Sequence, residues 1–300
     1  MQLSIVLEAF FQSMDGVLSP STVLFYRNRL PSLQAFLGDI EIDNITLDQL
    51  RAWRSGLSRR TTRWGGDSSH PVEEGALSAH TIHQYVRSCK RLFTWLVEEG
   101  TIATNPAKRL ELPNLPKPYR RGIPDEARDN ILASAQASST RDYAICLILA
   151  DTCCRVGGLA GLRLSDLDLD HCRAAVKEKG DKSRQVFFTP RTVEAIQAYI
   201  LDRPLVQHGY LFCGRRGEPL KAGGIYELLS RLASLAGVSD GWNPHNWRHG
   251  AIRGMLRNGM SLPAVSQIAG HASVKTTGDL YGVFSEDELK EMHDKFSWVE

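Results

Sequence analysis

Residues 244–284 read PHNWRHGAIRGMLRNGMSLPAVSQIAGHASVKTTGDLYGVF and gather His245, Arg248, His249, His271 and Tyr281. One cation that keeps its proton, several imidazoles and one phenol suit a nucleophilic attack on a phosphodiester. Residues three apart on a helix share a face, so His245 and Arg248 can reach the same anion. The planar guanidinium fork matches two phosphate oxygens. Each residue also has a plainer reading. His245 can cap a helix, and Arg248 can serve a structural ion pair. His271, after Gly270, can be a surface histidine, and Tyr281 a half-buried aromatic. His245 and His249, four apart, can be read as a zinc pair, but no glutamate lies between them and no third ligand is evident. A metal is therefore not expected, and His249 is expected to be packed beneath the site.

Several elements must position these groups. Helices are expected near 245–258, 262–269 and 273–281, and a last amphipathic helix near 286–296. Upstream, Pro124–Ala137 and the strongly apolar Arg141–Asp151 read as helices, the second one buried. RAAVKEKGDKSRQVFF (173–188) reads as two short strands around a Gly-Asp-Lys turn. Helices follow near 190–202 and 223–236, with a short strand at Tyr210–Cys213 between them. The first hundred residues predict four helices: 2–14, one from the Ser19-Pro20 cap to Leu37 bent at Pro31, Leu47–Leu57 after Thr46, and a long one from Ser78 to about Gly100. The long helix carries an apolar stripe (Ile82, Tyr85, Val86, Leu92, Phe93, Leu96) and a basic one (Arg87, Lys90, Arg91). SRRTTRWGGDSSHPVEEGAL (58–77) is a polar loop bearing Arg59, Arg60 and Arg63. LELPNLPKPYRR (110–121) is proline-spaced and reads as a linker. The expected domains are 1–112, helical and DNA-binding, and 123–300, α+β and catalytic, joined by 113–122. The fold class is mainly α with a small β-sheet.

The 300 residues suffice for two ordinary domains. No apolar run is long enough for a transmembrane helix, and the N-terminus lacks the pattern of a signal peptide. The cytoplasm is the expected compartment, without a membrane partner. The six cysteines form no CxxC and read as buried free thiols in a reducing compartment. A net charge of +2 does not announce a nucleic-acid binder, but the basic residues cluster locally, as in the groups above and at Arg215-Arg216.

In combination, the spaced residues resemble the tyrosine recombinase (phage integrase) family of site-specific DNA recombinases. The family pattern is His-x-x-Arg-His, then Gly-His, then a tyrosine, matched here by His245, Arg248 and His249, by Gly270-His271 and by Tyr281. The family also carries an arginine after a buried helix, followed by a Leu-x-Leu segment with an aspartate beyond it. DTCCRVGGLAGLRLSDLDL supplies Arg155 with Leu162, Leu164 and Asp166. A hairpin lysine in a Gly-Lys-Gly-x-Lys-x-Arg pattern is matched in EKGDKSR by Lys179, with Lys182 three residues on.

The resemblance implies a core-binding domain followed by a catalytic domain, and cleavage and rejoining of DNA through a 3′-phosphotyrosyl intermediate. Arg155 and Arg248 would bind the non-bridging oxygens, Tyr281 would attack, and His245 would act as base. Lys179 would be the acid, with Lys182 the alternative, and His271 would hydrogen-bond the phosphate. No cofactor is implied. The partners would be double-stranded DNA and further copies of the chain, a homotetramer joined by exchange of the C-terminal helix through Leu289, Met292, Phe296 and Trp298; the plainer reading is that this helix folds back on its own domain. Arg59, Arg60, Arg63, Arg87, Lys90 and Arg91 are the DNA-contact candidates. A type IB topoisomerase and a catalytically silent DNA-binding protein of the same fold are the alternatives. Two departures stand out. Gly158 replaces the acidic residue that the family often has three positions after the first arginine, and Cys153-Cys154 replace the usual Gly-Leu before it.

Overall fold

The computed structural model describes residues 1–62, 73–115, 122–178 and 182–297. It divides into two compact units, Met1–Pro116 and Lys117–Glu300. Much of the proline-spaced segment, and the turn between the two predicted strands, lie outside the described residues.

The first unit is helical: α1 (Leu3–Met14), α2 (Pro20–Arg27), α3 (Pro31–Leu37), α4 (Leu47–Ser58) and α5 (Ala79–Glu98). The single bent helix expected over 20–37 is instead two. Pro31 has no N–H to donate, and its ring would crowd the carbonyl of Arg27. α2 therefore ends at Arg27, and Pro31 starts α3 at its first position, where the missing donor costs nothing. Thr46 and Gln49 close a capping box at the start of α4, and the Ser78 side chain accepts from Thr81 N (3.1 Å) at the start of α5. On α5, Ile82, Val86, Cys89, Leu92, Phe93 and Leu96 recur at helical spacing and are buried against Phe10, Leu50 and Trp53.

The second unit is built around α7. Its elements are α6 (Asp125–Ser138), α7 (Thr140–Thr152), α8 (Val156–Gly161), β1 (Leu167–Asp168), β2 (Arg173–Glu178), β3 (Lys182–Phe187), α9 (Pro190–Asp202), α10 (Ala222–Leu235), α11 (Pro244–Arg257), α12 (Leu262–Ala269), α13 (Val274–Tyr281) and α14 (Glu286–Phe296). α7 is apolar nearly all round because α6, α9 and α11 pack on different sides of it. The three strands form one antiparallel sheet in the order β1-β2-β3. Ala174 and Val176 alternate inward on β2, with Val186 beside them on β3.

The strand expected at Tyr210–Cys213 is absent as an extended ladder. That segment makes only isolated bridges, Arg163 with Tyr210 and Cys213 with Pro219. Side chains satisfy much of the rest. Arg203 donates to the carbonyls of Tyr210 (2.7 Å) and Leu211 (3.0 Å), and Cys213 N donates to the Tyr199 hydroxyl (3.1 Å). Among the described residues, no helix is long and apolar enough to cross a membrane.

Candidate active site

α11 carries the His-x-x-Arg-His residues. Asn243 caps it, its side chain accepting from His245 N and Asn246 N (3.1 Å each), and Pro244 fills the first helical position. Trp247 anchors the helix in the main core with its indole N–H donating to Trp242 O (2.9 Å). Ile252 and Leu256 pack into a second, smaller core with Cys153, Val265, Ala269 and Tyr281. Arg248 and His249 lie buried between these two packed faces, and His245 stands exposed near the helix start.

Arg248 is 4 % exposed. It donates to the carbonyl of Ala269 (2.7 Å) and to that of Cys153. The second carbonyl is available because Cys153 turns the chain at the end of α7 with a φ of 53°, the left-handed region that favours glycine. The turn then starts α8 with Arg155 as its first flanking residue.

Gly270 ends α12 in the left-handed region at a φ of 66°. Gly270 N donates to Gln267 O (3.0 Å) and His271 N to Ser266 O (3.1 Å), the pairing of a Schellman turn. A Cβ on Gly270 would also lie 2.7 Å from Cδ of Arg184, so the position requires glycine for both shape and space. The turn places His271 ahead of α13, with its Nδ1 2.7 Å from the Thr277 hydroxyl. Thr277 and Tyr281, four apart, share one face of α13.

Tyr281 is 1 % exposed. Its hydroxyl hydrogen-bonds Nδ1 of His249. The His245 ring lies one layer farther out, 4.2 Å from the His249 ring between centroids, and the His271 ring stacks at 6.2 Å from that of Tyr281. Arg155 and Arg248 both act electrostatically on Tyr281. Burial first, then the charges of Arg248, Arg155 and Arg184, push the His271 imidazole down to about 4. It is therefore neutral at neutral pH. Burial also lowers the Arg248 and Arg155 guanidiniums, and other arginines of the cluster add to the effect on each. The Cys153 thiol is pushed up to about 12 by burial, so it is not a nucleophile.

The structure thus brings Arg155, Arg248, His249, His271 and Tyr281 into one cluster, with His245 at its edge. Lys179 lies outside the described residues, between β2 and β3. Lys182 opens β3 with its backbone paired to Glu178. Two residues of the cluster were not singled out from the sequence. Arg184 donates to Ile268 O and to Glu178 Oε1 (3.0 Å), and Glu178 also forms an ion pair with Arg155. Both were present in EKGDKSR, where Arg184 is the closing arginine of the hairpin pattern and Glu178 replaces its first glycine.

Of the DNA-contact candidates, Arg87 and Arg91 are exposed on one face of α5, four residues apart, and Arg91 pairs with Glu98 (3.0 Å). Lys90 donates to the carbonyls of Ala107 (2.9 Å), Lys108 (3.0 Å) and Leu110 (2.8 Å). Arg59 is exposed just after α4 and Arg60 is half-buried beside Trp53 and Leu57; Arg63 lies outside the described residues. At the C-terminus, Arg253 on α11 pairs with Glu288 on α14, and a Cβ on Gly259 would meet the Phe296 ring at 2.6 Å. α14 is therefore folded back on its own unit. Leu289 and Phe296 remain about half exposed, and Trp298 is outside the described residues.

The family model of the phage integrase family matches residues 123–285. Tyrosine recombinase XerC of Corynebacterium efficiens is 32% identical over 279 residues, covering 91% of this chain and 84% of that protein. The Tn1549 transposon integrase in complex with transposon right end DNA superposes with a TM-score of 0.76 at 20% identity, covering 99% of this chain and 100% of that one. A lambda integrase tetramer bound to a Holliday junction gives a TM-score of 0.72 at 17% identity, covering 95% of this chain and 80% of that one. The family model takes in more than half of the chain and coincides with the cluster around Tyr281. The chain accordingly belongs to the phage integrase family and is a site-specific DNA recombinase of the tyrosine type.

Proposed function

We propose that the chain exchanges DNA strands through a covalent bond between Tyr281 and a 3′-phosphate, with Arg155, Lys179, His245, Arg248 and His271 completing the machinery. The observation that carries this reading is the convergence on one phenol of groups from the end of α7, from α11 and from the α12–α13 turn.

Attack by the Tyr281 oxygen forms a P–O bond and breaks the bond from phosphorus to the 5′-oxygen. Negative charge grows on the two non-bridging oxygens, where Arg155 and Arg248 would bind them. The phenol, with an ordinary pKa of about 10, needs a proton acceptor near neutrality. In the resting arrangement its hydroxyl is held by His249. On leaving that contact it would give its proton to His245 at the rim. Lys179 would give a proton to the departing 5′-oxygen. His271 is neutral, and with its Nδ1 accepting from the Thr277 hydroxyl it would donate Nε2–H to the phosphate. The phosphotyrosyl link conserves the phosphodiester bond energy, so religation to a second strand needs no external energy source.

Arg59, Arg60, Arg63, Arg87 and Arg91 would follow the phosphate backbone of double-stranded DNA. Lys90 would fix residues 107–110 beside that face. Four copies would assemble on two duplexes in the cytoplasm. For this α14 would release its own unit and lay Leu289, Met292 and Phe296 on a neighbour. The lambda integrase tetramer on a Holliday junction supports that assembly by likeness of fold.

The test is to incubate the protein with fragmented genomic DNA of its source and sequence the DNA that stays attached through denaturation. The wild type is expected to yield adducts at a short recurring site, and Tyr281→Phe none. No adduct with the wild type overturns strand transfer; an adduct that persists in the Phe variant removes Tyr281 as the nucleophile.

A further inference from the structure

The carboxylate missing at position 158 is present in space, brought from the hairpin. The Glu178 side chain is 5 % exposed. Its Oε2 forms the ion pair with Nη1 of Arg155, and its Oε1 accepts from the backbone N–H of Arg155 (3.3 Å) and from Nη2 of Arg184 (3.0 Å). One carboxylate therefore holds Arg155 by both its main chain and its side chain.

Gly158 faces the same spot. A Cβ built there would lie 3.4 Å from the carbonyl oxygen of Lys177, 3.6 Å from Cγ of Glu178 and 3.7 Å from Cβ of Val176. An acidic side chain grown from position 158 would enter the volume that Glu178 fills. The two departures from the family pattern, glycine for acid at 158 and acid for glycine at 178, thus occupy one space and read as a single exchange.

We propose that Glu178 is the positioning residue for Arg155, doing from β2 what an acid on α8 would otherwise do. The inference rests on Arg155 being a phosphate ligand. The physical need is clear. Arg155 is 43 % exposed in its side chain and shares its surroundings with the like charges of Arg184 and Arg248, which repel it. An anion between Arg155 and Arg184 offsets that repulsion and keeps the guanidinium facing the reaction centre. Glu178 touches neither DNA nor the reacting atoms in this scheme and acts through Arg155.

The experiment measures covalent adduct formation on a nicked duplex carrying the site recovered by trapping. Rate at saturating DNA and half-saturating concentration are recorded for E178Q, E178G, G158E, G158E/E178G and R155Q. Misplacing a phosphate ligand is expected to slow E178G by about 10- to 100-fold at saturation with the half-saturating concentration unchanged. E178Q, which keeps the shape and removes the charge, is expected to be slowed in the same direction. G158E alone, with two carboxylates in one space, is expected to be slow as well, and G158E/E178G to recover most of the wild-type rate. A merely structural role for Glu178 predicts additive losses. Wild-type rates in E178Q and E178G overturn the proposal, and so does a double variant no faster than E178G. R155Q separates the two readings: wild-type cleavage by R155Q sinks Arg155 as a phosphate ligand, whereas an inactive R155Q beside fully active Glu178 variants sinks only the exchange.

Discussion

The arginines around Tyr281 and those on the outer face of α5 stand in opposite surroundings. In the second unit Arg248 and Arg253 are buried, Arg184 is partly buried, and each is bonded to a fixed partner: the carbonyls of Cys153 and Ala269, the Glu288 carboxylate, the Glu178 carboxylate. On α5 of the first unit, Arg87 and Arg91 stand exposed, Arg91 in a solvated pair with Glu98. Burial fixes a guanidinium to within the tolerance that one phosphorus centre demands, at the cost of desolvation that other groups must offset. Exposure leaves the charge mobile and hydrated, suited to a long run of phosphates where no single contact decides. Under the proposed function, the same residue type would serve geometry around Tyr281 and long-range attraction on α5.

Substituting Arg248 tests the geometric side most severely. Arg248→Ala is expected to slow adduct formation by about 100- to 1000-fold. Its removal leaves two buried carbonyls without their donor and costs about 1–3 kcal/mol of stability, part of it returned by relief of repulsion with Arg184. Single-turnover cleavage and urea melts check both figures. A variant that keeps its rate while losing stability would mean that burial of Arg248 serves folding alone.

A pH series on His271 probes the same buried charge from the side of a neighbour. Its imidazole titrates at about 4 in the fold against the usual 6.5. Between those values the unfolded chain binds a proton that the fold refuses. The stabilising contribution is therefore complete above pH 6.5 and is lost as pH falls toward 4. Allowing for solvent that reaches the ring, the loss should be about 1–2 kcal/mol across that window. Melts of the DNA-free protein should show it, and His271→Gln should flatten the decline. An unchanged slope in the Gln variant would refute the placement of this ring in the arginine field.

The smallest effects should come from the exposed set. Arg87→Ala and Arg91→Ala should each change stability by less than about 0.5 kcal/mol and reduce the slope of log affinity against log salt by about one. Cleavage at saturating DNA should stay at the wild-type rate. A drop in that saturated rate would erase the distinction drawn between the two units.

Periodic elements were legible because their signals are local. Asn243-Pro244, Ser78 and the Thr46–Gln49 box mark helix starts by chemistry that acts within one turn. The alternation in β2 likewise puts Ala174, Val176 and Glu178 on one face. Less local features were missed. The break between α2 and α3 follows from a ring-to-carbonyl clash whose outcome, bend or stop, depends on what packs around it. The segment 210–213 has a strand's composition but takes some of its partners from Arg203 and Tyr199, side chains that no period predicts, and the rest from isolated backbone bonds.

By itself the sequence determined the residue types, their order along the chain and the family they belong to, because His245, Arg248, Gly270-His271 and Tyr281 keep spacings that helices and tight turns translate directly into shared faces. Only the tertiary structure decided that Nδ1 of His249 meets the Tyr281 hydroxyl, and which carboxylate holds Arg155, Glu178 across the place left open at Gly158. Those contacts join α7, the hairpin, α11 and α13, and the distances between such elements are set by close packing of the buried cores around them, a property of the whole fold that no local spacing encodes.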